Sequence, residues 1–370
     1  MKKSLIIIFW VVIVLVFWGW ADGWFLVDFT KQKLKTEAVE TPRGASLQEE
    51  KPKNTGYLAQ YNFENLKTRI NKASEIKTIG QVLTVVEARK ELVKRGDLKG
   101  KIFDFESRAI SFESNGKKIS GMMNLPAGRQ VCQLDKPCKK PSVIIMIRGF
   151  ADSDGYYIGS GSWRAADELA RNGFVTVSLD FLGFGLSDGE SKDILEARFE
   201  KPVSVLDLIE SVKKLDFVDP TKIGIWAHSN GGQIAISILE ITGQNYPTVL
   251  WAPMTNPFPN SVLDTMDENS ESGKIVKNRI DEFEKEYDSK LYSIDNFYNW
   301  VGAPILIHQG TADVWCKVEW QQELQIKLKE LGKNVILDIK EKNDHNFKQD
   351  WDKTMEQDVR FFKEKFDILG

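Results

Sequence analysis

The chain has 370 residues, of which 42% are hydrophobic and 28% are charged, and its formal net charge is -3. This length exceeds one ordinary domain of about 100 to 200 residues, and the apolar content suffices for a large core. A chain so close to neutrality has no overall cationic field to attract nucleic acid. The three histidines and three cysteines are not at zinc-ligand spacing, so a tetrahedral zinc site is disfavoured and neither a metal nor an organic cofactor is predicted.

The first 21 residues have the composition of a membrane segment. Residues 4–21 carry no charge, and as a helix rising about 1.5 Å per residue they reach the lower end of bilayer-core thickness. Lys2 and Lys3 favour a cytoplasmic N-terminus, so we expect the rest of the chain outside the cytoplasm. An uncleaved single-pass anchor is the favoured interpretation. Gly19 and Ala21 also fit a signal-peptide cleavage site, which would make the protein secreted.

Two segments of different composition follow. Residues 22–56 are rich in Lys, Glu, Thr, Gln and Pro without an apolar period, which predicts a polar stalk. In residues 57–100 apolar side chains recur at helical spacing, for example Leu66, Ile70 and Ala73. This periodicity predicts a helical N-terminal extension that packs on the main domain.

Strands and helices alternate from residue 101 onward. A hairpin is predicted around Ser114-Asn115-Gly116, because Asn-Gly favours a tight turn between two apolar runs. The alternation predicts an α/β fold over 101–370, with a mainly parallel sheet, helices on both faces and a small cap insertion near 252–301. Strands are predicted at 143–147, 175–179, 223–226, 249–251, 305–308 and 335–339, and helices at 163–172, 197–215, 231–241, 318–331 and 349–366.

The segment Ala227-His228-Ser229-Asn230-Gly231-Gly232 joins a predicted strand to a predicted helix. A nucleophilic serine on such a sharp turn needs small residues two positions to either side, because the backbone approaches its neighbours closely there. Gly231 meets this requirement, and Ala227 replaces the usual first glycine. The context predicts Ser229 as a nucleophile; the alternative is a serine that caps the helix.

A serine hydroxyl is a weak nucleophile and needs a base, which an acid must orient. His345 lies in a loop between the last predicted strand and the last predicted helix, at the sheet edge where Ser229 is expected. His228 is adjacent to Ser229, so its ring is expected to point elsewhere and its role to be structural, and His308 is expected to pack or hydrogen-bond beneath the site. His345 is therefore the predicted base.

The predicted acid is Asp313, which follows the strand at 305–308. With it the chain order is Ser229, Asp313, His345, the order of α/β-hydrolase triads. Asp264 and Asp267, after the preceding strand, are weaker alternatives.

Two backbone N–H groups are predicted to stabilise an oxyanion. One is that of Asn230, which directly follows the nucleophile, and the other is that of Phe150 in the loop after the strand at 143–147, with Gly149 as the second choice. Arg148 precedes Gly149 where such loops often have histidine, and contact of its cation with substrate is left open.

Several segments together resemble an α/β-hydrolase, and the stretch 305–366 more closely resembles the catalytic domain of the prolyl oligopeptidase family of serine peptidases, which includes dipeptidyl and acylaminoacyl peptidases. The resemblance covers roughly 105–367 and implies cleavage of peptide bonds through an acyl-enzyme. The segments are Arg148-Gly149-Phe150, Asp180-Phe181-Leu182-Gly183-Phe184-Gly185-Leu186-Ser187-Asp188-Gly189, His228-Ser229-Asn230-Gly231-Gly232, His308-Gln309-Gly310-Thr311-Ala312-Asp313 and Asp344-His345-Asn346-Phe347.

The chain also departs from this family. Family peptidases often carry an N-terminal β-propeller, which the approximately 80 residues between the predicted membrane segment and the main domain cannot hold. Compact relatives of similar design are often esterases. Carboxylesterase activity is therefore the second interpretation, and an inactive binding protein on a hydrolase scaffold is the alternative from another class.

The remaining expectations concern cysteines and aromatic residues. Cys132 and Cys138 form a disulfide or remain free thiols, and Cys316 is expected to be unpaired and buried. An apolar subsite is a possible role for four aromatic residues, each of which is individually more typical of packing: Trp251, Phe258, Trp300 and Trp315.

Overall fold

The computed structural model describes residues 54–79, 105–126, 140–267 and 269–368. The predicted membrane segment at 1–21 lies outside these residues, as do all but the last few residues of the predicted stalk and both Cys132 and Cys138. Within the described ranges, no helix has the length and apolar character needed to cross a membrane. The membrane segment therefore stays a prediction.

The described strands form one sheet. They are β1 (Lys77–Thr78), β2 (Phe105–Ser114), β3 (Lys117–Pro126), β4 (Val143–Ile147), β5 (Val175–Leu179), β6 (Ile223–His228), β7 (Thr248–Trp251), β8 (Ile305–Gly310) and β9 (Val335–Lys340). Their order in the sheet is β1-β2-β3-β5-β4-β6-β7-β8-β9. The pairs from β1 through β3 to β5 are antiparallel, and those from β5 to β9 are parallel. Every side chain of β4 is buried, as expected for a parallel strand covered on both faces.

Helices cover both faces of this sheet. The described α-helices are α1 (Phe63–Thr68), α2 (Trp163–Arg171), α3 (Ile194–Val212), α4 (Asn230–Thr242), α5 (Asn260–Leu263), α6 (Glu271–Glu286), α7 (Val318–Glu330) and α8 (Trp351–Lys365), with short 3₁₀ turns at Tyr57–Tyr61, Ser289–Tyr292, Ile294–Asn296 and Tyr298–Trp300. One core contains Leu206 of α3, Ile236 of α4 and Leu324 of α7. A second core contains Leu169 of α2 and Phe362 of α8. The predicted α/β-hydrolase architecture is confirmed.

The hairpin of β2 and β3 also confirms the sequence prediction. Asn115 and Gly116 form its turn with φ of 49° and 74°. Asparagine and glycine adopt this left-handed backbone more readily than other residues, and two such residues in succession match the twist of the flanking strands. The local sequence therefore determines this turn.

Of the predicted N-terminal extension the structure describes residues 57–79, and these are helical only at their beginning. Helix α1 ends at Thr68, Ile70 is 85% exposed, and β1 then joins the sheet beside β2. The reason is a tertiary contact. The Arg69 guanidinium donates to both oxygens of the buried Asp207 carboxylate at 2.7 and 2.8 Å, and the backbone of Arg69 is extended. Between Arg69 and Thr78 this ion pair overrides the helical periodicity of the sequence.

The insertion predicted at 252–301 lies between β7 and β8 and is largely helical. It rests on α3. Phe283 of α6 packs against Phe199 of α3 with ring centroids 5.7 Å apart. Arg279 of α6 forms an ion pair with Asp193, the N-cap of α3, at 2.6 Å. The insertion is thus fixed beside the helix that precedes β6.

Candidate active site

Ser229 occupies a strained turn between β6 and α4. Its φ is 55° and its ψ is -125°, a left-handed backbone that non-glycine residues rarely adopt and that costs about 1–3 kcal/mol. Neighbouring backbone holds the turn, since the Ser229 N–H donates to the Trp251 carbonyl at 2.9 Å and the Ser229 carbonyl accepts from the Met254 N–H at 2.8 Å. This is the geometry of a nucleophile elbow.

Small residues allow this turn to form. A Cβ on Gly231 would lie 2.5 Å from the carbonyl oxygen of Ile147 and 2.6 Å from that of Arg148. A Cβ on Gly149, in the loop after β4, would lie 2.7 Å from the Cβ of Ser229. The requirement for Gly231 matches the sequence prediction, whereas the contact of Gly149 with the serine is visible only in three dimensions.

Asp313 and His345 form a hydrogen-bonded pair at the same edge of the sheet. The Nδ1 of His345 lies 2.8 Å from the Oδ2 of Asp313. The Asp313 side chain is fully buried and that of His345 is 15% exposed. The two loops are joined by the Ala312 N–H, which donates to the Asn343 carbonyl at 2.9 Å. Residues 32 positions apart are thereby brought together as predicted.

The surroundings keep Asp313 ionised. Burial by itself raises the pKa of this carboxyl, but the hydrogen bond and charge of His345, together with the backbone N–H groups of Cys316 and Trp315, outweigh it and hold the pKa below the ordinary value. An ionised Asp313 can accept the Nδ1 proton of His345, which leaves Nε2 free to accept a proton from a nucleophile.

Cys316 lies beside this pair and is free and buried, as predicted. One ligating atom each from Asp313, Cys316 and His345 lie within 4.8 Å of one another, a grouping that could hold a metal ion. Burial raises the pKa of the Cys316 thiol, whereas metal binding requires the thiolate. The donor set suits a hydrogen-bonded acid–base pair better than a metal site.

His228 has the structural role expected of it, although its ring lies against His345 rather than away from the site. The rings of His228 and His345 are 4.7 Å apart between centroids, and the Nε2 of His228 donates to the His345 carbonyl at 3.0 Å. Burial, followed by the nearby charge of His345, lowers the pKa of His228 to about 4. His228 is therefore neutral at pH 7, and it holds the loop of His345 in place. In the sequence, the only indication that His228 belongs to the site is its position next to Ser229, and this position does not indicate which way the ring points.

Arg148 is buried and anchors the loop after β4. Its guanidinium donates to the Gly149 carbonyl at 2.9 Å, to the Asp180 carbonyl at 2.8 Å and to the Tyr156 hydroxyl at 3.1 Å. The guanidinium also lies over the ring of Phe184, 4.1 Å from its centroid. With all three nitrogens bonded to the protein itself, Arg148 fixes the loop. Its exposed fraction is only 5%.

His308 is buried beneath the site between two acidic side chains, which confirms its predicted hydrogen-bonding role. Its Nδ1 lies 3.1 Å from Asp338 and its Nε2 lies 2.9 Å from Asp358. Burial lowers the pKa of His308, but these two carboxylates raise it by more, so the net shift is upward. The indole N–H groups of Trp226 and Trp251 also donate to Asp358, at 3.0 and 2.8 Å. The network braces β6, β7 and β8, from whose ends the site is built.

The two residues predicted to supply oxyanion donors belong to segments that adjoin Ser229. Asn230 is the first residue of α4, so its N–H has no carbonyl to bond within the helix. Phe150 directly follows Gly149, which contacts the serine, and the Phe150 side chain is 88% exposed. The loop after β4 and the start of α4 thus converge on the serine.

The alternative acids are not part of this arrangement. Asp264 and Asp267 are exposed, and the carboxylate of Asp264 accepts a hydrogen bond from the Asn256 amide at 2.6 Å. The Asp–His pair instead contains Asp313.

Of the aromatic residues considered for an apolar subsite, only Trp315 is exposed, at 62%. It follows the acid loop and has Val314, 84% exposed, beside it. Trp251 and Phe258 are buried in the two cores, and Trp300 packs on Phe297. Packing is thus the role of these three.

The parallel sheet, the strained serine and the Asp–His pair define a serine hydrolase of the α/β-hydrolase fold. Residues 164–368, more than half of the chain, match the model of the prolyl oligopeptidase family. The chain belongs to that family.

Solved structures of similar fold include peptidases. A putative dipeptidyl aminopeptidase IV from Bacteroides ovatus is 16% identical with a TM-score of 0.55, over 71% of this chain and 36% of that one. An acylaminoacyl peptidase from Pyrococcus horikoshii is 20% identical with a TM-score of 0.54, over 71% of this chain and 42% of that one. The chain thus spans about two fifths of the length of these peptidases. An uncharacterised 31.7 kDa protein of Escherichia coli is 33% identical over 67 residues, which are 18% of this chain and 23% of that protein.

Proposed function

We propose that this serine hydrolase acts by acyl transfer and that its substrates are peptides. Ser229 attacks the substrate carbonyl, His345 takes the serine proton at Nε2 and returns it to the leaving group, and Asp313 holds the imidazole in the required tautomer. Water then repeats the sequence on the acyl-enzyme. The N–H groups of Asn230 and Phe150 stabilise the oxyanion of each tetrahedral intermediate.

One observation carries this proposal: the 2.8 Å contact between His345 Nδ1 and Asp313 Oδ2 at the sheet edge where Ser229 is held in a left-handed turn. A buried, ionised carboxylate on Nδ1 leaves Nε2 as the only ring nitrogen that can accept a proton. A strained serine at the end of a central parallel strand is exposed to substrate. Each feature alone has a structural explanation, whereas their combination supports nucleophilic catalysis.

Membership of the prolyl oligopeptidase family supports peptides as the substrate class. The exposed side chains of Phe150, Val314 and Trp315 beside the oxyanion loop and the acid loop offer apolar contacts to an extended substrate. Carboxylesterase activity is the second candidate, because acyl transfer from esters uses the same groups and differs only in the leaving group.

A fluorophosphonate probe tests the proposal, because it phosphonylates only an activated serine. The wild-type chain is expected to become labelled, Ser229→Ala to remain unlabelled, and Ser272→Ala, which removes an exposed serine of α6, to be labelled like the wild type. Turnover of the best substrate in a panel of peptides and p-nitrophenyl esters should fall on the order of 10⁶-fold in Ser229→Ala. An unlabelled wild type, or equal labelling of Ser229→Ala, contradicts the proposal and favours an inactive binding protein.

The membrane anchor and the location outside the cytoplasm belong to the same proposal. The charge-free run at 4–21 after Lys2 and Lys3 supports both. The labelled band of the full chain is then expected in carbonate-washed membranes and accessible to protease added from the outer side. Recovery in the soluble cell fraction contradicts the anchor, and recovery in the medium favours cleavage and secretion.

A further inference from the structure

A small cleft beside the start of α4 contains two positive charges. Its volume is about 30 Å³, and its walls include Asn230 and Gln233 of α4 and Phe258 of the insertion. Arg198 and Lys201 of α3 line it from the other side. The two cations are three residues apart, so they occupy neighbouring positions on one face of the helix.

These cations have little compensation from the protein. The Arg198 guanidinium donates to the Gln233 side-chain oxygen and to the Ser261 hydroxyl, both of which are neutral. In the part of the chain that the structure describes, neither Arg198 nor Lys201 is within ion-pair distance of a carboxylate; nearby Glu200 forms its ion pair with Lys117, at 3.1 Å, and acts on Lys201 only from a greater distance.

The environment disfavours the charge on both side chains. Burial, followed by the positive charge of Arg198, lowers the pKa of Lys201 to about 8. Burial alone lowers the pKa of Arg198 to about 10. Glu190 and Glu200 act in the opposite direction on Lys201, and Arg148 adds a further positive charge. Arg198 and Lys201 are half-buried, and a partly desolvated cation without a counter-ion is costly, so an anion that enters the cleft gains attraction.

We propose that Arg198 and Lys201 form a subsite for a carboxylate carried on the acyl part of the substrate. This inference rests on the proposed acyl-transfer function. The cleft is small, about 30 Å³, which suits a compact anionic group such as a carboxylate. Phe258 and Tyr292 in its walls lower the local polarity and strengthen charge-assisted hydrogen bonds.

Topology assigns the cleft to the acyl side of the scissile bond. His345 hands its proton to the leaving group, and it follows β9 on one side of β6. Arg198 and Lys201 belong to α3, which connects β5 to β6 and so approaches Ser229 from the other side. Asn230, whose N–H is the proposed oxyanion donor, lines the cleft. A carboxylate bound there lies on the side away from the leaving group.

Paired substrates test this subsite. The mono-p-nitrophenyl esters of glutaric, adipic and pimelic acid are compared with the same compounds whose free carboxylate is a methyl ester. At the chain length that fits, the full wild-type chain is expected to favour the free acid by roughly 10- to 100-fold in kcat/KM, as for a hydrogen bond to a charged group. This ratio should fall close to one in Lys201→Met. The matched control is Lys214→Met, which removes an exposed lysine just beyond α3 and should keep the wild-type ratio.

Binding without turnover provides a second measurement. Glutarate should raise the unfolding midpoint of Ser229→Ala in a concentration-dependent manner, and the rise should disappear when Lys201→Met is added. Arg198→Lys, which keeps the charge but loses the guanidinium fork, should retain part of the preference.

Two results overturn the subsite: equal kcat/KM for acid and methyl ester at every chain length, or a preference that survives in Lys201→Met. In either case fluorophosphonate labelling and hydrolysis of neutral esters persist, and the proposed function stands. If the wild type neither reacts with the probe nor hydrolyses any ester, the proposed function fails, and the glutarate measurement still decides whether the cleft binds a carboxylate.

Discussion

Replacement of Asp313 by asparagine is the most direct test of the Asp–His pair. The Asp313 carboxylate accepts four hydrogen bonds. Oδ1 accepts from the backbone N–H groups of Trp315 and Cys316 at 2.8 and 3.1 Å, and Oδ2 accepts from the side chains of His345 and Gln309 at 2.8 and 3.1 Å. The introduced asparagine would therefore keep its carbonyl oxygen toward the two backbone donors, and its amide nitrogen would face His345.

The consequence for catalysis follows from this orientation. An amide N–H can only donate, so the Nδ1 of His345 must become the acceptor and the ring proton must move to Nε2. A protonated Nε2 cannot accept the proton of Ser229. We expect kcat of Asp313→Asn to fall about 10⁴-fold, as for the same change in a serine protease triad, which corresponds to about 5 kcal/mol in the activation free energy.

The assay is the steady-state hydrolysis of a neutral p-nitrophenyl ester, together with the rate of fluorophosphonate labelling. Asp264→Asn and Asp267→Asn are the controls, because both side chains are exposed and neither is part of the Asp–His pair; both should keep wild-type rates. The reasoning is refuted if Asp313→Asn loses less than tenfold, or if Asp264→Asn loses as much as Asp313→Asn. Unfolding curves of all three variants identify any loss due to misfolding.

Two further substitutions test the packing around the site and in the core. Gly149→Ala would place a Cβ 2.7 Å from the Cβ of Ser229, so we expect kcat to fall on the order of 10²-fold because the nucleophile is displaced. Gly189→Ala is the control, because its Cβ would meet nothing within 4 Å, and it should leave kcat unchanged. Equal effects of the two substitutions would contradict the argument. Glu240 is fully buried, neither of its carboxyl oxygens has a hydrogen-bond partner among the described residues, and burial raises its pKa well above the ordinary value. The folded state therefore holds a proton on Glu240 that the unfolded state loses above the ordinary pKa of about 4.5. Glu240→Met should raise the free energy of unfolding at pH 7 by about 1–3 kcal/mol, and this gain should shrink as the pH falls toward 4.5. Urea denaturation at both pH values measures the gain, with the exposed Glu282→Met as the control, and a gain that is constant or absent contradicts the argument.

Much of the fold and the identity of the proposed triad could be predicted from the sequence because their signals are local. The all-apolar run of β4 and the Asn115-Gly116 turn reflect preferences that act within a few residues. The small residue at Gly231 reports a close backbone approach that any such elbow requires. Chain order and strand ends then suffice to nominate Ser229 and His345.

Other features depend on contacts between distant segments, which no local pattern encodes. Helix α1 ends early because Arg69 pairs with Asp207, 138 positions away. His228 contacts His345 because β6 and the loop after β9 end at the same sheet edge, a contact between residues 117 positions apart.

The sequence by itself determined the alternation of strands and helices, the elbow serine and the order of the three candidate catalytic residues. The tertiary structure alone decided which charges are compensated. It buried Arg148 against carbonyl oxygens, and it left Arg198 and Lys201 without a carboxylate partner beside Asn230. The physical reason is that the free energy of a charge depends on its burial and on the groups that fold around it, and these come from remote parts of the chain.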